Sequence, residues 1–264
     1  MRKIKFLLLG LFAFFGAVSF TVAFSPLAKQ LVMAVLWYQN SDEMKAIYLQ
    51  TFNWGKKIIA EESTKPSDKP YAVVVDIDET MLDNSPFEGY LIKHDINFSR
   101  ALWNEWVNLG EAKALPGAAN FTLFARDKGV EVFYISNRSI ETLDATLKNL
   151  QNEGFAYADA DHILLKTTTS DKTARRAKVT ATHNVILYVG DNMGDFDQSF
   201  VMGEEGYSPK NVYRNVDKFG TKYLVLPNPM YGNWEHRIYP RPKMTPEEKA
   251  RYRVRVIKSF KKVE

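Results

Sequence analysis

The chain has 264 residues, of which 45% are hydrophobic and 25% are charged. This composition fits a folded domain with a sizeable core and excludes an intrinsically disordered or fibrous protein. No cysteine is present, which excludes disulfide bonds, thiol catalysis and a lipid attached to a signal-peptide cysteine.

The first 28 residues predict an export signal or an N-terminal membrane anchor. Arg2, Lys3 and Lys5 precede an apolar run over residues 6–24, which is the order typical of a secretory signal. The run is also close to the roughly 20 residues that a membrane-spanning helix needs, so cleavage and retention as an anchor both stay open. We therefore expect a periplasmic, secreted or cell-envelope protein that is not a lipoprotein.

A helical preface over residues 29–62 precedes the first predicted strand. Within residues 41–62 the apolar side chains recur at a nearly helical period, and Ser41 is placed to cap the helix start. The segment "STKPSDKP", residues 63–70, is typical of a linker.

Short apolar runs that predict strands alternate with segments that predict helices. The predicted strands are 71–76, 130–136, 184–190 and 222–227, and the predicted helices include 117–128 and 139–153. This alternation is typical of an α/β fold in which helices cover both faces of a parallel sheet.

The C-terminal segment 245–262 predicts a basic helix. Thr245, Pro246 and Glu248 match a capping box with proline in the first turn. Residues 241–264 hold nine Lys and Arg residues against three acidic ones, which is typical of a solvated helix face. We do not expect a nucleic-acid polymer as partner.

Polar residues follow three of the predicted strands. The first strand ends at Asp76 and Asp78, the second at Ser136 and Asn137, and the third at "GDNMGDFD", residues 190–197. The carboxyl ends of parallel strands lie at one edge of a sheet, where ligands of such folds bind. These side chains therefore predict a site at that edge.

The charges of this edge predict a metal and a phosphate group. Four aspartates, Asp76, Asp78, Asp191 and Asp195, cannot all stay ionised in one small site without a cation, and hard carboxylate oxygens suit Mg²⁺. Lys172 could then attract a phosphate together with loop amides and hydroxyls.

Four short segments resemble the motifs of the haloacid dehalogenase-like hydrolases in order and spacing. They are "DIDET", the serine of "FYISNR", Lys172 and "GDNMGDF". The longer segments "VVVDIDETMLDNSP", "LYVGDN" and "LPNPMYGNWE" resemble the class C, or DDDD, acid phosphatases, which include outer-membrane lipoprotein 5′-nucleotidases. The resemblance covers roughly residues 33–240. It implies a Rossmann-like parallel sheet with a small helical cap and an N-terminal helical extension, with a phosphatase domain over residues 29–264 and a catalytic core over 70–240.

The resemblance implies different roles for the first two aspartates. Asp76 is expected to attack phosphorus and form an aspartyl phosphate, and Asp78 to protonate the leaving oxygen and later activate water. The expected activity is Mg²⁺-dependent hydrolysis of small phosphate monoesters.

The same resemblance implies the ligands of the metal and of the phosphate. Mg²⁺ is expected to bind the Asp76 carboxylate, the Asp78 backbone carbonyl and Asp191, with Asp195 supporting a bound water. The expected phosphate-binding residues are Ser136, Asn137 and Lys172.

Aromatic residues of the insert and of the last loop are candidates for substrate binding. Phe98 and Trp103 lie between the first two strands, and Tyr231 follows the fourth. Their rings could stack on a nucleobase, which makes nucleoside monophosphates the expected substrates. The alternative is that they pack the cap against the sheet.

Two other functions stay open at this point. A non-catalytic surface adhesin or ligand-binding protein could use the same fold, and a phosphotransferase would differ only in the acceptor that enters the site. The sequence also leaves the oligomeric state open, including a homodimer.

Overall fold

The computed structural model describes residues 26–201, 210–241 and 243–260. The predicted signal or anchor segment lies outside these residues except for its last three, which belong to the first helix. Among the described residues, no helix is both long and apolar enough to cross a membrane.

The described helices and strands alternate along most of the chain. In order they are α1 (Pro26–Lys29), α2 (Val32–Asn40), α3 (Asp42–Glu62), β1 (Tyr71–Val75), β2 (Leu82–Asp83), α4 (Ser85–His94), α5 (Arg100–Leu109), β3 (Lys113–Ala114), α6 (Ala118–Asp127), β4 (Glu131–Ser139), α7 (Leu143–Asn152), β5 (Ile163–Lys166), α8 (Thr173–Thr182), β6 (Asn184–Gly190), α9 (Lys210–Arg214), β7 (Tyr223–Val225), α10 (Asn233–His236) and α11 (Pro246–Val256).

The main sheet has five parallel strands in the order β5-β4-β1-β6-β7. The chain runs outward from β1 through β4 to β5 and then crosses to β6 and β7 on the other side. The order of the strands therefore reverses next to β1, and parallel sheets open a ligand crevice at such a point. The predicted α/β fold with a parallel sheet is confirmed.

Strand β1 is buried on both faces, as its run of branched apolar residues predicts. Val73 and Val75 pack in the larger core with helices α3 and α6, whereas Ala72 and Val74 pack on the opposite face near Val179 of α8. Burial on both sides holds the end of β1 firmly in the centre of the molecule.

The N-terminal extension packs on one face of the sheet. Ser41 caps α3, because its hydroxyl accepts a hydrogen bond from the Met44 amide at 3.1 Å. Gly55 lets α3 approach closely, since a Cβ atom there would lie 2.8 Å from the Phe121 ring and 3.1 Å from the Leu224 side chain.

The predicted small cap consists of helices α4 and α5, which lie between β1 and β4 in the chain. The short antiparallel pair of β2 and β3 closes its base. The cap therefore stands over the carboxyl end of β1.

The clearest differences from the sequence analysis are one strand that was not predicted and one helix that ends early. The edge strand β5 was not predicted, because four residues that are alternately buried and half-buried give little signal. Helix α11 ends at Val256 and not at 262. Ile257 beyond it is 69% exposed, so no packing extends the helix, and short helices depend on packing.

The close approach at Gly55 gives a test of the packing. Gly55→Ala should lower the free energy of unfolding by about 1–3 kcal/mol, because the new methyl group overlaps Phe121. Gly89→Ala is the matched control in helix α4, where the nearest atom, of Gln39, would be 3.8 Å away. This control should raise stability by up to about 1 kcal/mol through helix propensity. Denaturant titration of both variants measures the difference, and equal effects would contradict the packing described.

Candidate active site

The end of β1 and the end of β6 bring two aspartates together. The Asp76 amide donates to the carbonyl of Val189 at 3.0 Å, which ties the residue after β1 to the neighbouring strand. Asp191 follows directly after β6. Both carboxylates therefore lie in the crevice where the strand order reverses.

Lys172 bridges two of the predicted aspartates. Its Nζ atom lies 2.6 Å from Oδ1 of Asp76 and 2.6 Å from Oδ1 of Asp195, and the residue is only 4% exposed. Burial acts to lower the pKa of Lys172, but the two carboxylates outweigh it and raise the pKa above its ordinary value. The lysine is therefore a fixed positive charge in the site.

Three carboxylates converge close enough to hold a metal ion. Asp76, Asp191 and Asp195 each offer an oxygen, and these oxygens lie within 4.8 Å of one another. Burial raises the pKa of Asp76 to about 7 against the opposing effect of Lys172. Burial and the charges of Asp195 and Asp76 also raise the pKa of Asp191 well above its ordinary value.

Such crowded oxygens need either protons or a cation. Since all three donors are hard carboxylate oxygens, the site fits a divalent metal ion that prefers oxygen ligands.

Asp191 is oriented by two neighbours. Its carboxylate accepts a hydrogen bond from Thr80 Oγ1 at 3.3 Å and from Asn228 Nδ2 at 2.9 Å. Thr80 comes from the loop after β1 and Asn228 from the loop after β7. The loops after β1, β6 and β7 therefore fix the orientation of this carboxylate together.

Asp195 is oriented by the turn that contains it. Its Oδ2 atom accepts a hydrogen bond from the Asn192 amide at 2.9 Å, leaving Oδ1 for Lys172. A Cβ atom at Gly190 would lie 2.3 Å from Asp195 Oδ2. Only glycine at the end of β6 leaves room for this carboxylate.

Asp78 faces a different set of partners from Asp76. Its carboxylate accepts hydrogen bonds from Arg138 Nε at 2.8 Å, Asn84 Nδ2 at 3.0 Å and Ser136 Oγ at 3.1 Å. The side chain is not part of the convergent carboxylate group. The proposed role of its backbone carbonyl as a metal ligand stays a prediction.

Arg138 is the most important residue of the site that the sequence analysis missed. It is 1% exposed, and besides Asp78 its guanidinium contacts Thr146 Oγ1 at 3.3 Å and Asn84 Oδ1 at 3.4 Å. The indole of Trp106 donates to the same Asn84 oxygen at 2.8 Å. The sequence feature that could have identified Arg138 is its position in "FYISNR", where a positively charged residue comes near the end of a buried strand.

Of the three residues predicted to bind phosphate, two line the cavity and one is buried behind it. Lys172 and Asn137 line the cavity. Ser136 is fully buried, and its hydroxyl is engaged with Asp78. Arg175, which was also missed, donates to the Ser136 carbonyl and to Asn137 Oδ1, the latter at 2.7 Å.

A cavity of about 710 Å³ extends from the carboxylates under the cap. The three aromatic candidates, Phe98, Trp103 and Tyr231, all line it. Phe98 is 58% exposed and packs edge-on against Phe87 at 6.1 Å. Trp103 packs edge-on against the same ring at 5.1 Å, and Tyr231 packs against the main core. The structure brings all three to the cavity, and all three also contact neighbouring aromatic or core residues.

The model of the HAD superfamily, subfamily IIIB (acid phosphatase), matches residues 16–234. The chain belongs to this acid phosphatase family. The matched region includes Asp76, Lys172 and the loop that contains Asp191 and Asp195. The resemblance derived from the motifs is confirmed.

This family member is similar to a solved class C acid phosphatase from Bacillus anthracis. That structure is 39% identical, with a TM-score of 0.83 over 89% of this chain and 100% of the other. A second structure of the class C acid phosphatase from Bacillus anthracis, with tungstate bound, is 40% identical and has a TM-score of 0.82.

Curated plant proteins are more distant relatives. The stem 28 kDa glycoprotein of Glycine max is 28% identical over 60% of this chain, and acid phosphatase 1 of Solanum lycopersicum is 29% identical over 60%. The alignments span 58% and 57% of the two plant proteins, respectively. Together with the family model, these likenesses support a phosphomonoesterase.

Proposed function

We propose that the chain is a Mg²⁺-dependent acid phosphatase that hydrolyses small phosphate monoesters, with nucleoside monophosphates among them. The observation that carries the proposal is the convergence of Asp76, Lys172 and two further carboxylates in the lining of one cavity. A nucleophile, a fixed cation and a metal-binding group are thereby brought together within one site.

The first step is attack by a carboxylate oxygen of Asp76 on phosphorus. A phosphorus–oxygen bond to Asp76 forms, the bond to the leaving oxygen breaks, and Asp78 gives its proton to that oxygen. The hydrogen bonds from Arg138, Asn84 and Ser136 hold the Asp78 carboxyl in one orientation for this transfer.

The second step releases inorganic phosphate. Asp78 takes a proton from water, the water oxygen attacks phosphorus, and the bond to Asp76 breaks. Lys172 stays beside Asp76 in both steps and balances the charge of the phosphoryl oxygens. Asp76 and Asp191, with support from Asp195 and the Asp78 carbonyl, would hold Mg²⁺, which would further neutralise this charge.

The relative from Bacillus anthracis supports an oxyanion site. Its structure with tungstate bound shows that a protein 40% identical to this chain accepts a tetrahedral oxyanion. By similarity, we infer that Asn137 and Lys172, which line the cavity here, and the loop at Ser136 contact the phosphoryl group of a substrate.

The remaining parts of the proposal concern the organisation and location of the protein. The basic, apolar N-terminal segment supports export to the cell envelope or beyond. We place the phosphatase domain at residues 29–264, with helices α2 and α3 as its preface.

Substitution of the two catalytic aspartates tests the mechanism. Asp76→Asn should abolish turnover of p-nitrophenyl phosphate, because an amide cannot act as the nucleophile. Asp78→Asn should reduce kcat by about 10²–10⁴-fold through loss of the proton donor. Steady-state kinetics with purified variants measures both, and a rate close to wild type for Asp76→Asn would contradict the mechanism. No turnover by the wild type would favour a ligand-binding protein.

Removal of metal tests the cofactor. Chelation followed by dialysis should abolish activity, and Mg²⁺ should restore it, because the carboxylates otherwise repel the phosphoryl group. Mg²⁺ should also raise the melting temperature of the wild type, since a ligand that binds only the folded state stabilises it. Asp191→Ala should lose both responses. Full activity in excess chelator, or an unchanged melting temperature at saturating Mg²⁺, would refute the metal assignment.

Replacement of Phe98 by alanine tests nucleotide binding. Stacking on a base is worth about 1–3 kcal/mol, so Phe98→Ala should lower kcat/KM for AMP by about 5–150-fold. The loss for ribose 5-phosphate should be much smaller, because that substrate has no base. Phe260→Ala removes another exposed phenylalanine, one outside the cavity residues, and is the control. Equal losses on the two substrates would indicate packing in place of stacking.

A further inference from the structure

Glu88 is a buried carboxylate that the proposed mechanism does not use. It lies on helix α4 of the cap, is 6% exposed, and lines the same cavity as Asp76. No hydrogen bond or ion pair joins Glu88 to another described residue. Burial and the negative charge of Glu235 raise its pKa to about 7.

A second carboxylate of the cavity, Glu235, is held by hydrogen bonds within the protein, as is typical of a structural role. Glu235 also lines the cavity, but it accepts hydrogen bonds from Arg253 Nη2 at 2.6 Å and from the Tyr239 hydroxyl at 2.8 Å. The nearby cation Arg253 is thus paired with Glu235. Glu88 has no such partner among the described residues, and its carboxylate oxygens are open to the cavity.

Burial removes part of the hydration of the Glu88 carboxylate, and hydrogen bonds from a ligand in the cavity can replace that hydration. Glu88 can accept hydrogen bonds but, when ionised, cannot donate them. In its ionised form Glu88 therefore favours a ligand that presents N–H or O–H donors to it.

The surroundings of Glu88 narrow the class of ligand. The adjacent residue, Phe87, packs edge-on against Phe98 and Trp103 with centroid distances of 6.1 and 5.1 Å. One turn of α4 thus supports the aromatic wall of the cavity and also presents the carboxylate. A flat ring with an amino group satisfies both features, because its face stacks and its N–H groups donate.

We propose that Glu88 accepts a hydrogen bond from the amino group of a nucleobase in the leaving group. The chain then prefers phosphate esters of amino-bearing nucleosides, such as AMP, to substrates of the same shape that lack the amino group. The inference rests on the phosphatase function proposed above and names the substrate class of that same site.

The test compares AMP with purine riboside 5′-monophosphate, which lacks only the 6-amino group. Hydrogen bonds to charged groups are strong enough that kcat/KM of the wild type should be about 10-fold or more higher for AMP. Glu88→Leu should bring the ratio of the two kcat/KM values close to one. Glu105→Leu makes the same change on the exposed surface of helix α5, outside the cavity residues, and should keep the wild-type ratio.

The outcomes separate this inference from the proposed function. A wild-type ratio near one, or a ratio that Glu88→Leu leaves unchanged, overturns the role of Glu88. The wild-type comparison needs no variant, so poor folding of Glu88→Leu does not remove the test. In that case Glu88→Gln replaces it as the variant of similar shape. Its ratio of the two kcat/KM values should be below that of the wild type. Absence of turnover of p-nitrophenyl phosphate would instead refute the phosphatase function itself.

Discussion

The ammonium group of Lys172 lies between Asp76 and Asp195, 2.6 Å from an oxygen of each, in a part of the molecule that water hardly reaches. Breaking a buried ion pair leaves an uncompensated charge, which is strongly destabilising. This interaction therefore holds the loop after β1, the start of α8 and the turn after β6 in one arrangement. The third carboxylate, Asp191, takes its position within that frame.

The two aspartates of the first motif have different electrostatic surroundings. Asp76 is next to Lys172 and the other carboxylates, whereas Asp78 is held by Arg138, Asn84 and Ser136. Three donors hold the Asp78 carboxyl in one orientation for the proton transfers proposed for it, and the cation beside Asp76 is placed to balance the charge of a phosphoryl group. Arg138 is thus a positioning residue of the proposed mechanism.

The sheet edge presents the candidate catalytic residues, and the cap and the two ends of the described chain line the rest of the cavity. Helices α1 and α11 close the far side of the cavity, where Leu27 and Arg253 are among the lining residues. The C-terminal run was expected to be a solvated basic face, but Arg253 is half-buried and bound to Glu235. Part of the positive charge of this segment therefore serves to build the cavity wall.

The sequence alone determined the fold class, the family and the residues that the sheet edge presents, because strand patterns and short motifs are local. Asp76, Asp78, Asp191, Asp195 and Lys172 could be named from their positions relative to predicted strands. Only the tertiary structure decided which of these residues touch, since Lys172 and Asp76 are 96 residues apart and Arg138 and Asp78 are 60 apart. The same holds for the strand β5 and the unpaired Glu88, since pairing and burial depend on distant segments that no local pattern encodes.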